Sequence, residues 1–371
     1  MQLSFWELKN WFTNLDFTIV GSGIVGLHCA LVLREKFPSA KILVLEKGVL
    51  PQGASTKNAG FACFGSVSEI LDDLNSHTEE EVLQLVQKRW EGLQLLRKRI
   101  GDETLDLKAY GGYELFLKED ESTYEDCLQK LPFINELLKP LFKNEVFSKE
   151  IDRFAFQGIQ EYVLFNPYEA QIDTGNMMQE LLKMVGQQNI LILNHQTVTS
   201  FIENNNEVEV ALGDFSFTTK KLFFATNGFA NELTNGEVKP ARAQVLITKP
   251  IPNLDIKGTF HLDKGYYYFR NFEDRILLGG GRNLDFEGET TTELGQTEII
   301  QNKLEQLLKE VILPNQSFEI EHRWSGIMGV GNHKNPVVKQ LSENVFCGVR
   351  LGGMGVAIGS LVGKELADLI D

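Results

Sequence analysis

Cysteine is scarce. The 371 residues hold four, Cys29, Cys63, Cys127 and Cys347, with no CxxC pair and no metal-ligand spacing. A disulfide framework is excluded, no metal site is expected, and reduced, mostly buried thiols point to a reducing compartment, hence a cytoplasmic protein. Positive charge is also in the minority: 36 Lys and Arg against 51 Asp and Glu, a formal net charge of -15. Such a surface repels phosphate backbones and anionic headgroups, so nucleic acid is not an expected partner. No window approaches the roughly 18 uninterrupted apolar residues of a membrane span. The start, "MQLSFWELKNWF", carries Glu7 and lacks the basic opening and apolar core of a signal peptide. It reads as a short leading helix packed by Phe5, Trp6 and Trp11. The chain is long for a single core, and two domains are expected.

What is present begins with "FTIVGSGIVGLHCALVLREKF". Phe17–Val20 is a short β-branched run. Gly21, Gly23 and Gly26 then complete GxGxxG, and helical periodicity follows. The first glycine permits a tight turn, the second lets backbone approach a pyrophosphate, and the third allows close helix–strand packing. Ile24 and Val25 open the helix whose N–H groups face the phosphates. "KILVLEK" is a second strand, ended by Glu46 and Lys47, with Glu46 20 positions after Gly26. A carboxylate there accepts ribose hydroxyl protons. Strand, turn, helix, strand and acid in order specify a dinucleotide, NAD or FAD.

The next loop, "LPQGASTKNAGFACFG", bears on that choice. An NAD dehydrogenase would soon repeat strand and helix. Here small residues follow instead, able to lie against a flat ring, and a long polar helical stretch succeeds them, about 66–100. With this loop the chain resembles the D-amino-acid-oxidase-like family of FAD-dependent oxidoreductases, over about 16–370. The resemblance implies non-covalent FAD, with Ala54 and Ser55 at the pyrophosphate and Ala59, Gly60 and Phe61 along the isoalloxazine; Asn58 reads either as a flavin contact or as a structural turn residue. Three further segments carry it. "AQIDTGNMMQELL" starts a helix capped by Asp173 or Thr174, and the strand after it brings the Val198 backbone to the adenine. "KLFFATNGFANEL" resembles an ATG turn behind the pyrophosphate, with Asn227 as an extra residue before Gly228. "NVFCGVRLGGMGVAIGSLVGKEL" runs strand, glycine cluster, helix, so Leu351, Gly352, Gly353, Met354, Gly355, Val356 and Ala357 line the flavin. A helix N-terminus there suits an anionic reduced flavin. Cys347 falls in the strand, and "SGIMGVG" lacks the cysteine to which sarcosine oxidases attach flavin.

The resulting expectation is an α/β protein: a Rossmann-like FAD-binding domain of the glutathione-reductase type (1–66, 153–238, 316–371) and an α+β substrate domain with a mixed sheet (67–152, 239–315). In "GYYYFR" strand alternation puts Tyr266, Tyr268 and Arg270 on one face, and the resemblance makes Tyr268 or Tyr266 the substrate-touching tyrosine. Glycine oxidase's carboxylate-binding arginine would fall on Met328 and its second on Gly353, which leaves Arg350 or Arg323; Arg350 is favoured for an anion, with contact to the FAD itself or a structural ion pair as its alternatives. His28 and His195 read as packing or surface residues. The expected activity is oxidation of a C–N bond in an amine or amino acid, with hydride transfer to flavin N5 and hydrolysis of the imine. One alternative is a 2-hydroxy acid or polyol dehydrogenase with a non-oxygen acceptor. Another is a non-catalytic flavin-binding or accessory protein. The oxygen-activating lysine of some family oxidases is missing from "RILLGGG", which is apolar around Leu277, so the acceptor is oxygen or another molecule.

Overall fold

The computed structural model describes residues 3–370. Two eight-stranded sheets organise it. The first is built on Leu15–Val20, which pairs in parallel with Ile42–Leu45 on one side and Phe215–Phe224 on the other. Leu191–Leu193 and Val345–Val349 extend it in parallel, and Val337–Ser342 closes one edge antiparallel. All four residues of Ile42–Leu45 are buried, as expected of a central parallel strand covered on both faces.

Over this sheet lies the helix Ile24–Lys36, whose first ten residues are all buried. It is sandwiched by the closing helix Gly355–Ala367, and glycine makes the approach possible. A Cβ on Gly359 would stand 2.8 Å from Ile24 Cγ2, and one on Gly363 2.6 Å from the Val25 carbonyl oxygen. The helix Glu79–Ile100 packs on the closing helix in the same way, through Gly92.

The second sheet runs in the order Ile320–Val330, Lys239–Thr248, Arg275–Gly280, Tyr267–Phe272, Thr259–Leu262, Gly112–Glu114, Tyr162–Asn166, Ser148–Ile151. One face packs on Glu298–Leu307 around Leu246, Phe260, Phe269 and Leu278. The other face meets the nucleotide half.

Tyr162–Asn166 and Ile320–Val330 hydrogen-bond in this second sheet, although the sequence division gave both stretches to the nucleotide half. Glu79–Ile100, given to the substrate half, covers the nucleotide half. Composition does not encode such long-range pairing. Residues 1, 2 and 371, the outermost positions of that division, lie outside the described residues.

The N-terminal expectation also needs correction. Phe5, Trp6 and Trp11 are exposed, and Phe12 is the aromatic that reaches the core, against Phe215 and Phe217. Helix Phe5–Glu7 continues as a π-turn, Leu8–Phe12, which rotates that one side chain inward.

Candidate active site

The nucleotide cradle is made mostly of backbone. Gly21 has φ +106°, and a Cβ on Gly26 would sit 1.9 Å from its carbonyl oxygen, so only glycine fits at position 26. The first intrahelical acceptor is the Gly23 carbonyl, taken by Leu27 N–H. Ile24 N–H donates to Ser55 Oγ at 3.0 Å, which ties the small-residue loop to the helix start. Among the described residues, Gly23, Val25 and Gly26 N–H have no acceptor, which is the arrangement an anionic phosphate satisfies. Glu46 is buried at its strand end. It accepts from Ser22 N–H and Oγ on one oxygen and from Gly48 and Gln52 N–H on the other. Lys47 is exposed and lies over Phe229. Val198 is partly buried, in the stretch whose His195 and Gln196 N–H groups bond the carbonyls of Gly48 and Glu46.

The loop itself is held by its own side chains. Asn58 Oδ1 accepts from Gly60 N–H at 2.8 Å and Thr174 Oγ1 at 2.9 Å, while its amide donates to the Ser55 carbonyl. Asp173 caps the helix beginning at Thr174, accepting from Asn176 N–H. Gly60, at φ +75°, permits the turn into the short strand Phe61–Ala62, paired with Ala170–Gln171. The buried Arg270 guanidinium donates to the Ala59 carbonyl and to the Ile172 carbonyl at 3.1 Å. Desolvation lowers its pKa to about 10. Sequence alternation put Arg270 on this face without giving it a role; it clamps the ring-binding loop.

At the closing helix, Gly352 and Gly353 have φ +57° and +86°. Met354 provides no side-chain cap, and Gly355, Val356 and Ala357 N–H point out of a helix whose first internal bond is Ile358 to Met354. Asn227, the apparent extra residue, orders this junction: its Oδ1 accepts from both Arg350 and Leu351 N–H. Gly228 lies where a Cβ would meet the Met328 carbonyl at 2.4 Å.

Arg350 does not face this space. Its guanidinium donates to the Asn335 carbonyl at 2.8 Å and pairs with Glu237 at 3.2 Å. Its backbone sits in the left-handed region, at φ +66°. Arg323 is likewise held by Glu305 and Gln301. Cys347 is buried among Val345, Val349 and Leu222.

Opposite the loop, register aligns Trp324, Val245, Gly279, Tyr268, His261 and Glu114 across six strands. Ala59, Phe61, Val245, Ile247, Tyr268, Leu277 and Trp324 form one apolar cluster. Phe61 meets both Tyr268 and His261 edge-on, and Trp324 Nε1 donates to the Lys57 carbonyl at 2.8 Å. Desolvation pushes the Tyr268 hydroxyl up to about 12. Tyr266 precedes its strand and packs on Phe286 instead.

Behind Phe61 lies a charged group that sequence reasoning missed. His261 Nε2 is 2.8 Å from Glu169, whose same oxygen accepts from Thr259 Oγ1. Burial alone would lower the imidazole pKa, but Glu169, with Glu69 and Glu114, carries it to about 9. Glu114 is raised to about 7 by burial against the opposing bonds from Ser68 and Ser66. Cys63 stands within 4.8 Å of the pair, its thiol pushed well up by burial. His28 is fully buried within its helix, its pKa lowered to about 3 by desolvation, and His195 lies in a turn at φ +60°.

The features fit one bound group: two helix N-termini with unsatisfied N–H donors, an acid at the second strand, a loop of small residues and an apolar wall across from it. FAD has the matching pyrophosphate, ribose and flat ring.

Known proteins agree. Residues 16–369 match the profile described as FAD dependent oxidoreductase. The chain is 21% identical to the probable oxidoreductase OrdL of Haemophilus influenzae and 23% identical to the gamma-glutamylputrescine oxidoreductase of Escherichia coli; each alignment covers 96% of this chain and 83% of the relative. Its fold is that of glycine oxidase from Bacillus cereus (TM-score 0.76, 15% identity, 96% and 97% of the two chains). It is also that of L-proline dehydrogenase from P. horikoshii (TM-score 0.73, 19% identity, 96% and 93%). A profile match over nearly the whole length, on a site built for this dinucleotide, makes the chain a member of the FAD dependent oxidoreductase family.

Proposed function

We propose that this chain oxidises a C–N bond of an amine or amino acid, with an imine as the first product. The carrying observation is the apolar wall of Val245, Ile247, Tyr268, Leu277 and Trp324 across from Ala59 and Phe61. FAD, when bound, supplies the two-electron acceptor. The chain supplies geometry and a dry surface. Arg270 fixes the Ala59 carbonyl and so the loop against which the ring would lie. The wall disfavours a bare ammonium and favours the neutral amine, whose nitrogen lone pair supports the developing imine. Positioning and desolvation then account for most of the rate, without an acid–base pair. The names of the relatives, gamma-glutamylputrescine oxidoreductase and glycine oxidase, support a nitrogen substrate over a hydroxy acid. Burial of Cys347 in a strand supports non-covalent FAD, and four free buried thiols support a reducing, cytoplasmic setting.

The test is anaerobic. The purified yellow protein is mixed with N-methyl amino acids, amino acids, polyamines and 2-hydroxy acids, and flavin absorbance is followed. Bleaching by nitrogen compounds is expected. Bleaching by hydroxy acids alone, or by nothing in the panel, overturns the reading. Peroxide yield in air then tells oxygen from another acceptor.

A further inference from the structure

We infer that residues 331–336 form a strap, latched by Lys334 on Asp73, which opens and closes the flavin end of the cofactor cavity to small molecules. This rests on the closing helix facing the flavin and not on the amine reading above.

The strap links two strands that lie in different sheets, Ile320–Val330 and Val337–Ser342. Both of its ends are fixed. A Cβ on Gly331 would stand 2.7 Å from the Glu237 carbonyl oxygen and 2.9 Å from Arg350 Cδ, so that end is packed tight. Pro336 restricts the backbone at the other. The middle is held differently. Asn332, His333 and Lys334 are exposed, and among the described residues 331–335 make no backbone–backbone hydrogen bond. Side chains hold it instead. His333 meets His77 edge-on, with 5.8 Å between ring centroids, and Lys334 Nζ stands 3.0 Å from Asp73 Oδ1. A segment held by so few contacts opens at small cost.

Its partners place it. Asp73 lies near the end of the helix Val67–Leu74, and His77 follows that helix. The other Asp73 oxygen faces Arg89 at 3.8 Å, and Arg89 donates to the Phe64 carbonyl, just past the small-residue loop, at 2.8 Å. One turn along the same helix, Gly92 packs on the closing helix, where a Cβ would be 2.3 Å from the Ala357 carbonyl oxygen. On the opposite side Gly331 packs on Arg350, the residue before the glycine cluster. The strap thus ties together the two banks of Leu351–Ala357, where the closing helix begins.

The latch can release. The Lys334 side chain is 45% exposed and that of Asp73 2%. The Asp73 oxygen it approaches has no aligned hydrogen-bond donor, so the contact is an attraction of charges rather than a directed bond. A pair with one partner in water is weak and salt-sensitive. Arg89 remains beside Asp73 when Lys334 leaves, so opening strands no buried charge.

The experiment uses the FAD-loaded full chain and its Lys334→Arg, Lys334→Met and Lys334→Glu variants. The readout is collisional quenching of flavin fluorescence by acrylamide, an uncharged probe that needs no turnover; Tm is measured alongside. We expect Lys334→Arg to behave as the wild type. Lys334→Met should raise the quenching constant about two- to threefold, and Lys334→Glu, which repels Asp73, should raise it further, with little change in Tm. Raising KCl from about 0.05 to 0.5 M should move the wild type toward the Lys334→Met value and leave Lys334→Met where it is. Equal constants in all four proteins, or a salt response that survives in Lys334→Met, overturn the inference. So does a rise in Lys334→Arg as large as in Lys334→Met, which would make Lys334 a packing residue only. Flavin reduction by amines with equal constants sinks the strap alone. Failure of every amine sinks the amine reading, and the quenching still decides on the strap.

Discussion

On the nucleotide side the groups left free for a ligand are backbone N–H groups, and glycine sets where they stand: Gly21, Gly23 and Gly26 at one helix, Gly352, Gly353 and Gly355 at the other. On the facing sheet side chains present themselves instead, Tyr268, Arg270, His261 and Trp324, brought together by strands far apart in sequence. A backbone site requires a local conformation that few residues permit. A side-chain site requires only a register, and many sequences can occupy it. The first therefore tolerates almost no substitution at its turns, while the second can exchange its residues and with them its substrate.

That contrast is open to direct attack, most severely at Gly26. A side chain there meets the Gly21 carbonyl at 1.9 Å. Gly26→Val should cost about 4 kcal/mol or more and abolish bound flavin, read as the absorbance ratio of purified protein and its Tm. A yellow, stable variant would break the comparison.

Arg270→Met comes next. It leaves the Ala59 and Ile172 carbonyls without their buried donor, at a cost of about 2–3 kcal/mol by denaturant unfolding, with weaker flavin retention on dilution. Unchanged flavin affinity would mean that the loop holds its shape without the clamp.

A smaller effect is expected from pH. The folded His261 pKa is about 9, above its ordinary value, so its ion pair contributes fully below about pH 6.5 and is lost as pH rises through 9. Glu114, raised from 4.5 to about 7, works in the same direction at lower pH, its contribution being lost as pH rises through 7, so the fall above pH 7 belongs to His261. Glu169, Glu69 and Glu114 are the charged groups that face His261. Tm should fall between pH 7 and 9, and His261→Gln should flatten the His261 part of that slope. A variant with the wild-type profile would remove His261 as the source.

Tyr268→Phe should be mildest. The ring keeps its contact with Phe61, and only a hydroxyl is lost, so stability should change by about 1 kcal/mol or less. Its kcat/KM should fall by less than roughly tenfold, in keeping with a wall rather than an acid. A loss of several orders of magnitude would make the hydroxyl a participant in the reaction.

Where the sequence was legible, local physics carried the information. Asp173 caps its helix as the motif implied, and the strands read in "RAQVLITKPI", "GYYYFRN" and "RILLGGG" are present. It was illegible where partners lie far apart. Arg350 follows the last strand and its position pointed to an anion, yet Glu237, 113 positions away, takes its charge. Asn227 looked like an insertion and ties two segments 123 positions apart. The cluster of Glu69, Glu114, Glu169 and His261 has no spacing to betray it.

The sequence alone determined the dinucleotide half, because a tight turn, a close helix approach and an acid at a strand end each admit few residues at fixed spacing. Tertiary structure decided which charges remain available to a substrate. An ion pair forms between whichever side chains the two sheets bring within reach, and that proximity is not written in the neighbours of either residue.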